Sequence, residues 1–236
     1  MRKMWKLFNL IFPSRCPSCN RFTDSLKHAP FCTDCWQSLT HNPDIKRCRT
    51  CGIALPSDYS FKCITCIKER PYYKKVYVFG DYDGALKTAI NLLKFEKVRR
   101  LSIPLGELLA SLSLPPVDVF LPVPLSKERL ILRGFNQSHL LCHILSREFS
   151  IPMEPNILVK PGDIQPQSLL SRAKRLKNPK GAFSVIMSDR KLLPGRVFIV
   201  DDVMTTGATI NECARVLLRA GVKEVYGAVL ARTKSE

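Results

Sequence analysis

Residues 198–209, Phe-Ile-Val-Asp-Asp-Val-Met-Thr-Thr-Gly-Ala-Thr, constrain this 236-residue chain more than any other stretch. Phe198, Ile199 and Val200 are a short apolar run that reads as a buried strand of a parallel sheet. Asp201 and Asp202 follow it, and then a hydroxyl-rich loop of Thr205, Thr206, Gly207, Ala208 and Thr209. Ile210, Cys213, Ala214, Leu217 and Leu218 recur with the period of a helix, and Gly221 is placed to end it. Loop amides and hydroxyls converging on a helix N-terminus make a cradle for a phosphate, because the helix dipole favours an anion there. A plain cap needs one side chain, not five. The paired acids suit a neighbouring polyhydroxyl group such as a ribose diol.

The chain from residue 70 onward supplies the sheet that such a loop requires. Val76–Tyr82 reads as a strand, and 84–95 as an amphipathic helix with Leu86, Ala89, Ile90 and Leu93 inward. A helix is expected over 101–112. Pro115-Pro116 then breaks the chain before a strand at Val117–Val123. A further helix over 136–149 buries Leu140, Leu141, Ile144 and Leu145, and strands near 197–200 and 225–230 flank the helix after the loop. Strands alternating with helices give an α/β fold, a parallel sheet flanked by helices. Ligands of such sheets sit at the carboxyl ends of the strands, where Asp201 and Asp202 fall.

Residues 16–66 follow a different rule. Eight of the ten cysteines lie there as four Cys-x-x-Cys pairs: Cys16/Cys19, Cys32/Cys35, Cys48/Cys51 and Cys63/Cys66. Each pair offers two thiolates to one tetrahedral ion, so two pairs complete a Cys₄ zinc site, closed to substrate and therefore structural. Two consecutive zinc ribbons are expected, although spacing alone leaves interleaved ligation open. The competing reading is a secreted disulfide framework. The first twelve residues do resemble a short signal sequence, but Lys6 and Asn9 interrupt the apolar run and no small-residue cleavage site precedes Cys16. They read as a retained hydrophobic turn that packs on the body or touches a membrane surface. No apolar run of membrane-spanning length occurs.

Cys142 and Cys213 fall on apolar helix faces and read as packing residues. His139 and His143 are one helical turn apart without a third ligand, and the complete cysteine sets leave His28 and His41 no necessary role. The formal net charge is +17, which points to an anionic partner. Two basic segments share the ligand edge. Lys127, Arg129 and Arg133 are expected in a loop after the strand 117–123, suited to pyrophosphate. Residues 167–183 contain Arg172, Lys174, Arg175, Lys177 and Lys180 and no acid; they read as a solvated face or as an anion-binding lid. Phe183 and Trp36 are candidates both for base stacking and for the core.

The segment 198–209 resembles the phosphoribosyl-pyrophosphate (PRPP) loop of type I phosphoribosyltransferases. The resemblance implies that Asp201 and Asp202 hold the ribose hydroxyls at the catalytic centre, and that Thr205, Thr206, Gly207, Ala208 and Thr209 bind the 5′-phosphate. Taken whole, the chain resembles the ComF family of competence proteins, in which a cysteine zinc region precedes a phosphoribosyltransferase domain. The further motifs are Pro122-Val-Pro-Leu125, Arg133-Gly-Phe-Asn-Gln137, and Gln167, Leu170, Arg175, Asn178 with Gly181-Ala-Phe183. Ile164-Gln165 departs from the family, which tends to place threonine ahead of the glutamine. The resemblance implies a type I phosphoribosyltransferase fold over 71–236, a double zinc ribbon over 1–70, and Mg²⁺ bound with PRPP. It also implies handling of incoming single-stranded DNA during natural transformation, on the cytoplasmic side of the membrane, beside partners such as a DNA helicase and recombination mediators. Two functions of different class stay open: a DNA-binding competence factor that keeps a PRPP site, and an active phosphoribosyltransferase on an unidentified acceptor. The DNA contacts fall to Arg172, Lys174, Arg175 and Lys177 in the first of these.

Overall fold

The computed structural model describes residues 14–39, 44–56, 60–160, 181–186 and 194–234. The N-terminal apolar dozen and the cations Arg172, Lys174, Arg175, Lys177 and Lys180 lie outside the described residues.

Two short helices, α1 (Thr33–Gln37) and α2 (Ile64–Glu69), each open directly after a cysteine, Cys32 and Cys63. Strand β1 (Lys75–Asp81) leads into α3 (Gly84–Lys94). A 3₁₀ turn (Arg99–Leu101) then runs into α4 (Ser102–Ala110). Strand β2 (Val119–Pro122) is followed by α5 (Lys127–Arg133) and α6 (Gln137–Phe149). A two-residue antiparallel pair, β3 (Leu158–Val159) with β4 (Ser184–Val185), stands apart from the main sheet. Strand β5 (Arg196–Met204), α7 (Ala208–Arg219) and β6 (Glu224–Arg232) complete the body. The main sheet has the order β1-β6-β5-β2 and is parallel throughout.

Strand alternation divides the core into two layers. Phe198 and Val200 of β5 face one layer, with Phe120, the buried residues of α3 and α4, and Leu141 and Leu145 of α6. The four inward residues expected on α3, Leu86, Ala89, Ile90 and Leu93, are all buried. Gly106 of α4 lets α6 approach, since a Cβ there would come within 2.6 Å of the Ile144 Cβ. On the opposite face Val197 and Ile199 pack with Ile210, Cys213, Ala214 and Leu217 of α7. Cys142 and Cys213 are fully buried, one in each layer, in the packing role expected of them.

Three expectations need correction. The acids do not follow the strand but lie within it: β5 runs to Met204 because its ladder with β6 continues to the pair Met204 and Arg232. The predicted helix 101–112 begins as a 3₁₀ turn at Arg99 and its α-helical part closes at Ala110. Lys127, Arg129 and Arg133 stand on helix α5, not in a loop. Ser126 caps this helix, its side chain accepting from the Arg129 amide, and Gly134 ends it at φ 75°.

The cysteines resolve the ligation question in favour of consecutive sets. Cys16, Cys19, Cys32 and Cys35 cluster together, as do Cys48, Cys51, Cys63 and Cys66, and within each set every sulfur lies within 4.8 Å of the others. Four sulfurs around a zinc ion at about 2.3 Å stand roughly 3.8 Å apart. The Cys19–Cys32 and Cys51–Cys63 separations of 3.6 Å fit that geometry. Burial raises the Cys35 thiol to about 12 and the Cys51 thiol to about 11. Four thiolates therefore form at each place only with a cation to compensate them.

Neither ribbon stands clear of the body. Cys16, Phe31, Cys32 and Trp36 join the α3–α4–α6 layer, whereas Cys48, Cys51, Cys66 and Tyr73 join the α7 layer. The second ribbon also hydrogen-bonds to β1, the Thr50 carbonyl accepting from the Val76 amide at 2.8 Å. Trp36 is buried and stacked on His28, which accounts for both side chains as packing. We expect about two zinc ions per chain. Because the sets belong to the two core layers, chelation should unfold residues 71–236 together with the ribbons in one cooperative transition. Metal analysis and thermal melts with and without chelator check this; a body that keeps its melting temperature after losing both ions would contradict it.

Candidate functional site

At the carboxyl end of β5 the chain turns through Thr205 and Thr206, both exposed, into Gly207. Gly207 sits at φ 87°, a region that β-carbons disfavour, and a Cβ there would collide with Met204 Cε. Gly207 is also the cap residue of α7 and brings no side-chain acceptor to the first turn. The Ala208 amide donates to Thr206 Oγ1 at 3.3 Å. Asp201, Val203, Met204, Thr205, Gly207, Ala208, Thr209 and Ile210 line a small concavity of about 30 Å³. Four of the five expected loop residues, all but Thr206, thus line it with Asp201 at the positive end of a twelve-residue helix.

The two acids, equivalent in sequence, are separated by strand alternation. Asp202 is 2% exposed and its Oδ1 accepts from Lys94 Nζ at 2.8 Å and from the Val203 amide. Removing one partner of such a buried pair leaves the other charge stranded, at about 3–5 kcal/mol. Asp201 instead lines the concavity. Its Oδ1 accepts from Ser138 Oγ at 2.8 Å and from the Asp202 amide at 2.9 Å, which fixes the plane of the carboxylate. Burial, and then the neighbouring Asp202 charge, raise the Asp201 carboxyl to about 7; Ser138 and Lys94 pull in the other direction.

Sequence reasoning missed Lys94, Ser138 and Arg232, and also Tyr73, whose hydroxyl lies 3.4 Å from where a Cβ on Gly207 would stand. Lys94 had a signal: it follows Ile90 by four residues on the buried face of α3, where a lysine needs a partner. Arg232 had another, ending the buried run Val229-Leu230-Ala231 of β6. It is 5% exposed and Nη1 donates to the Thr205 carbonyl at 2.9 Å. Ser138 is placed by the segment Arg133-Gly-Phe-Asn-Gln137. There Gly134 ends α5, Phe135 is buried, and Asn136 caps α6 while its Nδ2 donates to the Val123 carbonyl after β2.

Other expected residues are not in the concavity. Helix α5 has no buried residue, and Lys127 and Arg129 are exposed on it after the carboxyl end of β2. The Arg133 guanidinium lies over the Phe95 ring, 5.5 Å from its centroid. Phe183 is buried beneath Lys160, so it belongs to the core. Gly181, two residues before it, donates its amide to Glu212 Oε1 on α7 at 2.7 Å, and Arg215 grips the same carboxylate with two hydrogen bonds. His139 is half-buried and His143 exposed, and neither belongs to a metal-ligand cluster among the described residues.

The raised Asp201 carboxyl sets a pH dependence. A carboxyl held above its unfolded value of about 3.9 contributes stability that is complete below that pH and lost as pH rises through about 7. Asp201→Asn cannot ionise and escapes that loss. Its stability relative to the parent should therefore rise by about 1–2 kcal/mol between about pH 5.5 and pH 8. Denaturant titrations at the two pH values check it; a constant difference would mean that the ionised form carries no penalty in this position.

Comparison with known proteins places these features. Residues 7–69 match the double zinc ribbon domain and residues 141–236 the phosphoribosyl transferase domain. Competence protein F of Haemophilus influenzae is 33% identical over 231 residues, 94% of this chain and 98% of that protein. DNA utilization protein YhgH of Escherichia coli K12 is 34% identical over 236 residues, 95% and 99% of the two chains. Competence protein ComFC of Bacillus subtilis is 37% identical over 106 residues, 44% of this chain and 39% of that one. Among solved structures, the B. subtilis glutamine PRPP amidotransferase complexed with ADP and GMP gives a TM-score of 0.37 at 23% identity, over 61% of this chain and 26% of that one. Adenine phosphoribosyltransferase from Thermoanaerobacter pseudethanolicus gives 0.34 at 24% identity, over 56% and 70%. Carrying a double zinc ribbon and a phosphoribosyltransferase-type domain, and matched by competence protein F along nearly its whole length, the chain belongs to the ComF family.

Proposed function

We propose that this protein works in DNA uptake or utilisation, handling incoming single-stranded DNA, and that it carries a PRPP site at the carboxyl end of β5. One observation carries the second part: the loop 205–209 closes on Gly207 at the start of α7 with the Asp201 carboxylate beside it. Under this reading Thr205, Thr206, Gly207, Ala208 and Thr209 hold the 5′-phosphate through amides and hydroxyls. Asp201 accepts from the ribose diol, and Asp202 sets the charge behind it through Lys94. Lys127, Arg129 and Arg133 face the pyrophosphate, and Mg²⁺ enters with the substrate. The names of the relatives, competence protein and DNA utilization protein, support the DNA role. We divide the chain at residue 70, with the ribbons in 1–70 and the phosphoribosyltransferase-type domain in 71–236. Among the described residues no helix is long and apolar enough to cross a membrane; we place the protein on the cytoplasmic side, with peripheral contact to the membrane as part of the proposal.

A second reading, an active phosphoribosyltransferase, is favoured by the oriented Asp201 carboxylate. Such a transfer has an oxocarbenium-like transition state, so the protein needs only to position the sugar and stabilise the leaving group, with no activated nucleophile. Release of pyrophosphate from Mg²⁺-PRPP in the presence of candidate acceptors distinguishes it from a binding-only site.

For the PRPP site, Asp201→Asn should lower Mg²⁺-PRPP affinity by roughly 1.5–3 kcal/mol, the worth of a charge-assisted hydrogen bond. Calorimetric titration measures this, and equal affinities would reject the assignment. For DNA, we place the contacts on Arg172, Lys174, Arg175 and Lys177. Affinity for single-stranded DNA should fall with salt at a log–log slope of about −0.7 per phosphate contacted. Changing all four to alanine should flatten the slope by about 1.4–2.1 units, alike for every DNA sequence. Fluorescence anisotropy across a salt series decides; a slope untouched by the fourfold change puts the DNA elsewhere.

A further inference from the structure

Among the described residues that line the concavity at the start of α7, Asp201 is the one carboxylate. A carboxylate has two oxygens, each with two lone pairs, and a firm grip on a sugar diol uses one oxygen for each hydroxyl. Here one oxygen is already taken. Oδ1 of Asp201 accepts from Ser138 Oγ at 2.8 Å and from the Asp202 amide at 2.9 Å, which fills both of its lone pairs. Only Oδ2 is left for a ligand.

Neither donor is free to leave. Ser138 is 1% exposed in the first turn of α6, and its amide donates at 3.0 Å to Asn136 Oδ1, the cap of that helix. Asn136 is itself tied to the Val123 carbonyl at 2.9 Å. The other donor is a backbone amide of β5, a strand held by its ladder to β6 on both sides of Asp202. A ligand hydroxyl that displaced either donor would strand a buried group, and that loss would cancel the bond gained. The second acid offers no substitute. Asp202 does not line the concavity; its Oδ1 is held by Lys94 Nζ, and its Oδ2 is buried without a partner. Swinging this carboxylate outward would leave the Lys94 ammonium, itself largely buried, without its counter-charge. The acid pair therefore presents one accepting oxygen, although two acids stand side by side in the sequence.

We propose that the site reads a single hydroxyl of a 5′-phosphorylated pentose, and that Ser138 is the positioning residue that sets this limit. Its ligands then include 2′-deoxynucleoside 5′-monophosphates, whose sugar keeps the 3′-hydroxyl and lacks the 2′-hydroxyl. A site built to hydrogen-bond a hydroxyl rejects the analogue lacking it by large factors, because its own polar groups are left unpaired. With no oxygen assigned to the 2′-hydroxyl no such rejection arises, and deoxyribose is held as well as ribose. Inside a DNA strand the 3′-oxygen is esterified and has no proton to donate to Asp201, so the ligand is the mononucleotide. This rests on the reading of residues 205–209 as a phosphate cradle, and the test separates the two.

The test titrates full-length protein by calorimetry with adenosine 5′-monophosphate, its 2′-deoxy form and its 2′,3′-dideoxy form, which share one base and one phosphate. The ribose and deoxyribose forms should bind within about threefold of each other, and the dideoxy form at least about tenfold more weakly. Asp201→Ala should bring the deoxy and dideoxy forms to the same affinity. Ser138→Ala returns a lone pair of Oδ1 to the ligand, and should shift the ratio toward the ribose form by about threefold or more. Three results overturn the proposal while the cradle stands: a parent protein that holds the ribose form more than about threefold tighter than the deoxy form, a dideoxy form bound as well as the deoxy form, or a Ser138→Ala ratio equal to the parent's. Binding of none of the three nucleotides rejects the cradle, and the proposal with it.

Discussion

Strand β5 is hydrogen-bonded along both edges, to β2 and to β6, and buried on both faces from Val197 to Val200. Val197 to Val200 are held by two ladders and two apolar layers, and from Asp201 to Met204 the ladder with β6 continues alone. The acids and the turn into α7 are projected from this rigid base. Strand alternation then assigns the acids their surroundings: Asp202 goes into the α3 side to meet Lys94, and Asp201 is left at the concavity. A carboxylate pair crowded in this way would be self-repelling. The lysine takes up one charge, and the second carboxyl is raised toward neutrality.

The ribbons extend the same logic. A zinc ribbon of some twenty residues buries too little apolar surface to fold without its ion. Here each ribbon also joins one of the two apolar layers that flank the parallel sheet. On one side Phe31 and Trp36 complete the layer above α3 and α4; on the other Tyr73 and the buried cysteines complete the layer beside α7.

The parts of this protein written into short stretches were legible in advance. Cys-x-x-Cys spacing is local chemistry, so all eight ligands were readable. Helix α3 announces its inward face through Leu86, Ala89, Ile90 and Leu93, since period and burial are the same fact in an amphipathic helix. The strand, loop and helix of 198–219 were readable for the same reason, with φ 87° at Gly207 bearing out the glycine. Less legible was helix α5. Its residues Lys-Glu-Arg-Leu-Ile-Leu-Arg have no periodic apolar face, and none is buried, so periodicity had nothing to report.

What the sequence by itself determined is the set of parts: eight thiols in four pairs, an apolar strand with two acids next to its core run, and a glycine-bearing hydroxyl loop before a helix. These follow from local spacing, which the chain carries whether folded or not. Tertiary structure alone decided how the parts are wired. It grouped the thiols in consecutive sets, sent the two ribbons to the two different core layers, and gave Asp202 to Lys94 across 108 positions of chain. It also brought Arg232 under Thr205, because β6 lies between β1 and β5 in the sheet. Partners so distant in sequence leave no periodic trace; they meet because burying a charge is tolerable only where the fold supplies its counter-charge.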